Sequence, residues 1–257
     1  MTDDGEASTE TDRSAALPTD DEFHDGRAAD GSTWLETLVA YAAEEPSPRR
    51  VELHRTGEAL RRIMHRLHAS RADAEQLSVA ADNLEQLAAE LEGGLDVGSM
   101  YEGFGESPLA GRDPHAFFDH SPMLGRANPM APPLELWPEG DRMKGRATFG
   151  PAYEGPPGCV HGGYIAAAFD EVLGSAQSLG GRPGMTGRLT INYRSPTPLG
   201  SELTFDAALE SVSGRKTLVN GTLHAGDRLC AEAEGLFIAI DFEKMAMLRA
   251  QRDDQLS

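Results

Sequence analysis

Residues 162–179, GGYIAAAFDEVLGSAQSL, constrain this chain more than any other stretch. Apolar or small residues fall on nearly every side of a helix drawn through them. Such a helix must be wrapped by other elements rather than laid on a surface by one stripe. Gly180-Gly181 follows as a C-terminal stop. Strand-like runs flank the helix. RMKGRATFG at 142–150 precedes it, and runs at 186–196, 202–212, 216–225 and 228–240 follow, separated by the turn signals PTPLG, SGR and GD. One long apolar helix inside a meander of strands predicts an α+β domain, an antiparallel sheet wrapped around a single central helix.

The acid pair Asp170-Glu171 interrupts the apolar run. Ahead of it, a Gly/Pro turn (GPPGC, 155–159) leads to His161-Gly162-Gly163 at the helix start. A helix N-terminus offers unpaired backbone N–H groups and a partial positive charge. Glycines there let another molecule's oxygen come close, which is the chemistry of an oxyanion hole. Asp170 lies eight residues beyond Gly162, about 12 Å along a helix at roughly 1.5 Å per residue. A carbonyl under attack needs its oxygen and its attacker each within about 3 Å. One helix therefore cannot serve one carbonyl with both groups, and their joint use requires two copies of the chain. The structural alternative is a His161 that only caps the turn, glycines that only permit close packing, and an Asp170 held by a buried donor.

Upstream, residues 32–43 pattern as a short helix capped by Ser32 or Thr33. Two longer helical patterns follow. One carries Leu53, Leu60, Ile63, Met64 and Leu67, the other Leu77, Leu84, Leu87 and Leu91. The short turn near Ser70 predicts an antiparallel αα-hairpin. The expected organisation is an acidic tail (1–30), a helical extension (31–95), a Gly-rich linker (96–117), the sheet-and-helix domain (118–243) and a C-terminal tail (244–257). The tail at 1–30 holds ten acids against Arg13 and Arg27, a composition that predicts disorder. The net charge of −19 argues against nucleic acid as a partner. No apolar run reaches the length of a membrane span. Two cysteines, Cys159 and Cys230, and no secretory signal pattern set the expectation of a reduced, cytoplasmic protein.

The stretch GPAYEGPPGCVHGGYIAAAFDEVLG, followed by MTGRLTINYRSPTPL, resembles the core of hotdog-fold acyl-CoA thioesterases. It is most similar to the human thioesterase superfamily members and the bacterial PaaI-type enzymes. The resemblance rests on His161, on Asp170 nine residues later, on Thr186 sixteen beyond that, and on Asn192-Tyr193. It covers about residues 118–241. It implies hydrolysis of acyl-CoA without metal or cofactor, in a homodimer or a dimer of dimers. It assigns Asp170 as general base or nucleophile, the Gly162 amide as oxyanion donor, Thr186 as the group placing water or substrate, and His161 as the residue shaping the mouth. Gly163, Asn192 and Asn128 become candidate substrate contacts. Asn128 lies in a turn that departs from the family's Asn-Pro-x-Gly-Leu pattern, and a loop role weighs against contact. Glu171 reads as an exposed or paired acid, Cys159 as an ordinary thiol, and His224 as a plain strand residue. Small residues along the helix (Ala166, Ala167, Ala168, Gly174, Ser175, Ala176) leave room for a sizeable acyl group. The competing readings are a non-catalytic acyl-CoA sensor and a hotdog hydratase.

Overall fold

The computed structural model describes residues 43, 45–92, 116–180 and 184–239. The acidic tail, nearly all of the 32–43 helix, most of the linker and the C-terminal tail lie outside these residues.

Six strands form one antiparallel sheet in the order β1-β2-β4-β5-β6-β3. They are β1 (Glu135–Glu139), β2 (Arg142–Thr148), β3 (Gly184–Tyr193), β4 (Glu202–Ser213), β5 (Lys216–Ala225) and β6 (Arg228–Ala239). The helices are α1 (Pro48–His68), α2 (Ala74–Glu92), α3 (Ala116–Asp119) and the central α4 (Gly162–Ser178). The α+β expectation holds, and the strands after α4 fall where the alternation placed them. Strand β1 was not anticipated. It is short, carries Pro138, and turns into β2 at Gly140 with φ 63°. Proline is tolerated there because β1 is an edge strand.

Helix α4 packs against β2 through β6. Ile165, Ala168, Phe169, Val172 and Ala176 recur at helical spacing and are buried on that face. The Phe169 and Phe205 rings meet edge to face at 5.5 Å. Gly221 lets the helix come close: a Cβ there would stand 2.8 Å from Leu173 Cδ2. Within one chain the wrapping is incomplete. The outward face, with Ala166, Ala167 and Gly174 half-buried and Asp170 exposed, stays open.

The extension departs from expectation twice. First, α1 docks on the domain by its polar face. Arg50 and His54 grip Asp119 at 2.7 and 2.6 Å. Burial pushes the Asp119 carboxyl up, but these two hydrogen bonds outweigh it and its pKa is lowered. Arg61 is buried and donates to the carbonyls of Ala131 (2.7 Å) and Asn128 (2.9 Å). Gly57 lets the backbones touch, since a Cβ there would lie 2.5 Å from the Arg126 carbonyl oxygen. The apolar stripe Leu53, Leu60, Ile63, Met64 and Leu67 is left half-buried or exposed. The segment 119–134 offers the helix a row of carbonyls and a carboxylate, and only donors can satisfy those.

Second, α1 and α2 do not pack side by side as an antiparallel hairpin. Every residue from 74 to 91 is exposed.

Candidate active site

The approach to α4 is tightly held. The Pro151–Tyr153 turn presents the Tyr153 carbonyl to the His161 N–H at 2.9 Å. The Tyr153 hydroxyl donates to the Ala131 carbonyl at 2.7 Å, and burial pushes its pKa up to about 12. The GPPGC turn closes through Gly155 N–H to the Cys159 carbonyl at 2.9 Å. Gly158, at φ 73°, donates its N–H to Glu154 Oε1 at 2.7 Å and holds that carboxyl below its usual range. Helix α1 reaches this loop as well. His65 Nδ1 accepts from the Ala152 N–H at 3.2 Å, and its ring meets Tyr153 edge-on at 5.4 Å. Burial, with the Arg61 charge, lowers the His65 pKa and favours the neutral ring that this bond needs.

His161 is the N-cap of α4. Its Nδ1 accepts from the Gly163 N–H at 3.0 Å, and its carbonyl accepts from the Tyr164 N–H at 3.0 Å. The Gly162 N–H meets no acceptor among the described residues. The amide expected to serve as oxyanion donor is thus the uncommitted one of the first turn, while Gly163 is engaged. Tyr193, at the end of β3, donates its hydroxyl to the Gly162 carbonyl at 2.8 Å and pins this turn to the sheet. The Asn192-Tyr193 pair in the sequence does not by itself disclose this role.

Two turns along α4, Asp170 Oδ1 accepts a hydrogen bond of 2.7 Å from the Thr186 hydroxyl. Strand parity alone would not bring them together. Leu189, Ile191 and Tyr193 pair with Gly235, Ala233 and Ala231 on the helix side of the sheet, so even-numbered β3 residues face away. A bulge between Thr186 and Arg188 shifts the register and places Thr186 opposite buried Phe237, on the helix side. Asn192 has no such correction. It pairs with Glu232 on the outer face, away from Asp170 and Gly162.

Asn128 is also remote from the pair. Its Nδ2 donates to the His120 carbonyl at 3.1 Å and its Oδ1 accepts from the Met130 N–H at 2.9 Å, so both ends hold the loop under α1. Cys159 is half-buried at the base of the turn, bridged to Pro198. Glu171 corrects an expectation. It is half-buried, and no hydrogen bond or ion pair joins it to a described residue. Burial first, and the Asp170 charge second, push its pKa to about 7.

A family model described as Thioesterase superfamily matches residues 157–232, which hold the Asp170–Thr186 pair and the start of α4. Acyl-coenzyme A thioesterase THEM4 of Bos taurus is 39% identical over 97 residues, 37% of this chain and 40% of that protein. Acyl-coenzyme A thioesterase THEM5 of Homo sapiens is 30% identical over 93 residues, 35% of this chain and 38% of that protein. The chain spans about two fifths of the length of the curated relatives it matches. The solved structure of RHA08564, a thioesterase superfamily protein, is 35% identical with TM-score 0.61, covering 72% of this chain and 94% of that one. The chain belongs to the thioesterase superfamily. Within this thioesterase-superfamily chain, the likeness to RHA08564 takes in more residues than the sheet-and-helix domain holds, so it runs into the flanking sequence.

Proposed function

We propose that this thioesterase-superfamily protein hydrolyses acyl-CoA thioesters at a site assembled from two copies of the chain. The observation that carries the reading is the Asp170–Thr186 hydrogen bond on a helix whose Gly162 amide is unengaged. The two groups stand about 12 Å apart along α4, so the donor for a carbonyl beside Asp170 comes from the partner's helix start. Similarity to the acyl-CoA thioesterases above supports the substrate class.

Thr186 occupies Oδ1 of Asp170 and leaves Oδ2 to accept a proton from water. The water oxygen bonds to the thioester carbon as its proton passes to Asp170. The carbonyl π pair moves onto oxygen, where the Gly162 amide of the second chain stabilises it. Collapse of that intermediate breaks the C–S bond, and the departing thiolate takes the proton back from Asp170. The products are a free acid and CoA thiol. His161 keeps Gly163 committed, so the first turn presents Gly162. Ala166, Ala167 and Gly174 lie on the open side of α4 with Asp170 and leave room for the acyl chain. Ala168, Ser175 and Ala176 are buried on other sides of the helix and add nothing to that room.

The test is release of free thiol across acyl-CoA substrates from acetyl to palmitoyl, with wild type and Asp170→Asn side by side. The variant should lose roughly 10²–10⁴-fold in kcat, the usual contribution of a positioned base. A variant as active as wild type rules out this role for Asp170. Binding of acyl-CoA without turnover by wild type would favour the sensor reading.

A further inference from the structure

Two apolar helix stripes of the extension are left partly or wholly exposed, and the helices that carry them are opposite in charge. On α1 the stripe is Leu53, Leu60, Ile63, Met64 and Leu67, with Ile63 37% and Leu67 60% exposed. On α2 it is Leu77, Leu84, Leu87 and Leu91, between 36% and 53% exposed. Helix α1 carries six arginines against two glutamates, a net +4. Helix α2 carries five acids and no Lys or Arg, a net −5.

Among the described residues, helix α2 is a finished helix without a packing partner. Asp73 and Gln76 cap it reciprocally, with Gln76 N–H to Asp73 Oδ1 at 2.9 Å and Asp73 N–H to Gln76 Oε1 at 3.1 Å. A cap does not sustain a helix of this length in water. Packing of an amphipathic face normally does, and here that face is bare. The stripe of α1 is the natural counterpart in both charge and apolarity, but the two helices of one chain do not lie along each other. We infer that α2 of one chain packs on α1 of a second copy, and reciprocally. The exchange closes on a two-fold axis, because both partners offer the same pair of surfaces. It gives two helix pairs, each about 28 Å long at roughly 1.5 Å per residue. Charge also disfavours the chain's own residues 32–45 as the cover for α2, since Glu36, Glu44 and Glu45 make that segment acidic too. This inference does not rest on the hydrolytic reading.

The test uses two charge-reversed full-length chains. In one, Arg55→Glu, Arg62→Glu and Arg66→Glu turn α1 from a net +4 to −2 beside an acidic α2. In the other, Asp82→Arg, Glu85→Arg and Glu90→Arg turn α2 from a net −5 to +1 beside a basic α1. All six residues are exposed, and the three on α1 lie off the face that docks on the domain. The readout is backbone hydrogen exchange over residues 74–91. Wild type should show protection there of about tenfold or more over an unpaired helix, through native contacts. Each variant alone should lose it. Co-expression of the two should restore it, because every α1–α2 pair formed between the two chains is again opposite in sign. Restoration establishes packing between copies. Loss that co-expression does not repair means that α2 packs on its own α1, and overturns the inference. Protection that survives in both variants points to another cover, such as residues 32–45, and overturns it equally. So does an unprotected α2 in wild type.

Discussion

Replacing Glu171 with glutamine should stabilise the protein, and only above a definite pH. Glu171 holds its proton up to about 7 in the folded chain, against an ordinary 4.5. Between those values the folded state binds more protons than the unfolded one, so the native carboxyl costs stability as pH rises from about 4.5 to about 7. The full interval corresponds to about 3.4 kcal/mol, at 1.36 kcal/mol per pH unit. Water reaches a half-buried carboxyl and screens it, so we expect about 1–2 kcal/mol to survive in practice. Urea unfolding at pH 5.5 and pH 8.0 reads this directly. Glu171→Gln should gain that amount over wild type at pH 8.0 and about two fifths of it at pH 5.5. Because the Asp170 charge is the second cause of the shift, the gain should shrink in an Asp170→Asn background. An equal gain at both pH values would refute the reasoning, since the effect would then lie in packing and not in ionisation.

Arg61→Met should destabilise by about 3–5 kcal/mol in urea, because it strips a buried cation from the carbonyls of Ala131 and Asn128 and leaves them without donors. Glu58→Gln, which touches the same guanidinium from a largely exposed position, should stay within about 0.5 kcal/mol. Thr186→Val keeps the shape and removes the hydroxyl that binds Asp170. It should lower kcat about 10-fold or more, and because the bond is exposed to solvent its loss should move the unfolding midpoint only slightly.

Much of the candidate site was legible because it is local. His161, Gly162 and Asp170 sit on one helix, and helical geometry fixes their separation whatever surrounds them. The cap at His161 follows from its place just ahead of two glycines. Thr186, Asn192 and Asn128 are neighbours of that helix only by what the family resemblance implies. The structure joins Thr186 to Asp170, turns Asn192 to the far face of the sheet, and ties Asn128 into a loop. Tyr193 could have been noticed from strand parity, since it shares its face with Leu189 and Ile191.

The sequence by itself determined the periodic elements, the central helix with its meander and the distance between the two candidate groups on it, because these depend on contacts a few residues apart. Tertiary structure alone decided three things. A one-residue bulge brought Thr186 to the helix side of β3, which parity would have forbidden. A row of loop carbonyls and Asp119 drew the polar face of α1 inward, against the hydrophobic pattern. No described element of the same chain packs along α2, which leaves its leucines for another surface to cover. Each outcome turns on which distant groups must satisfy one another's hydrogen bonds or cover one another's apolar surface, and no periodicity within a single helix or strand encodes that.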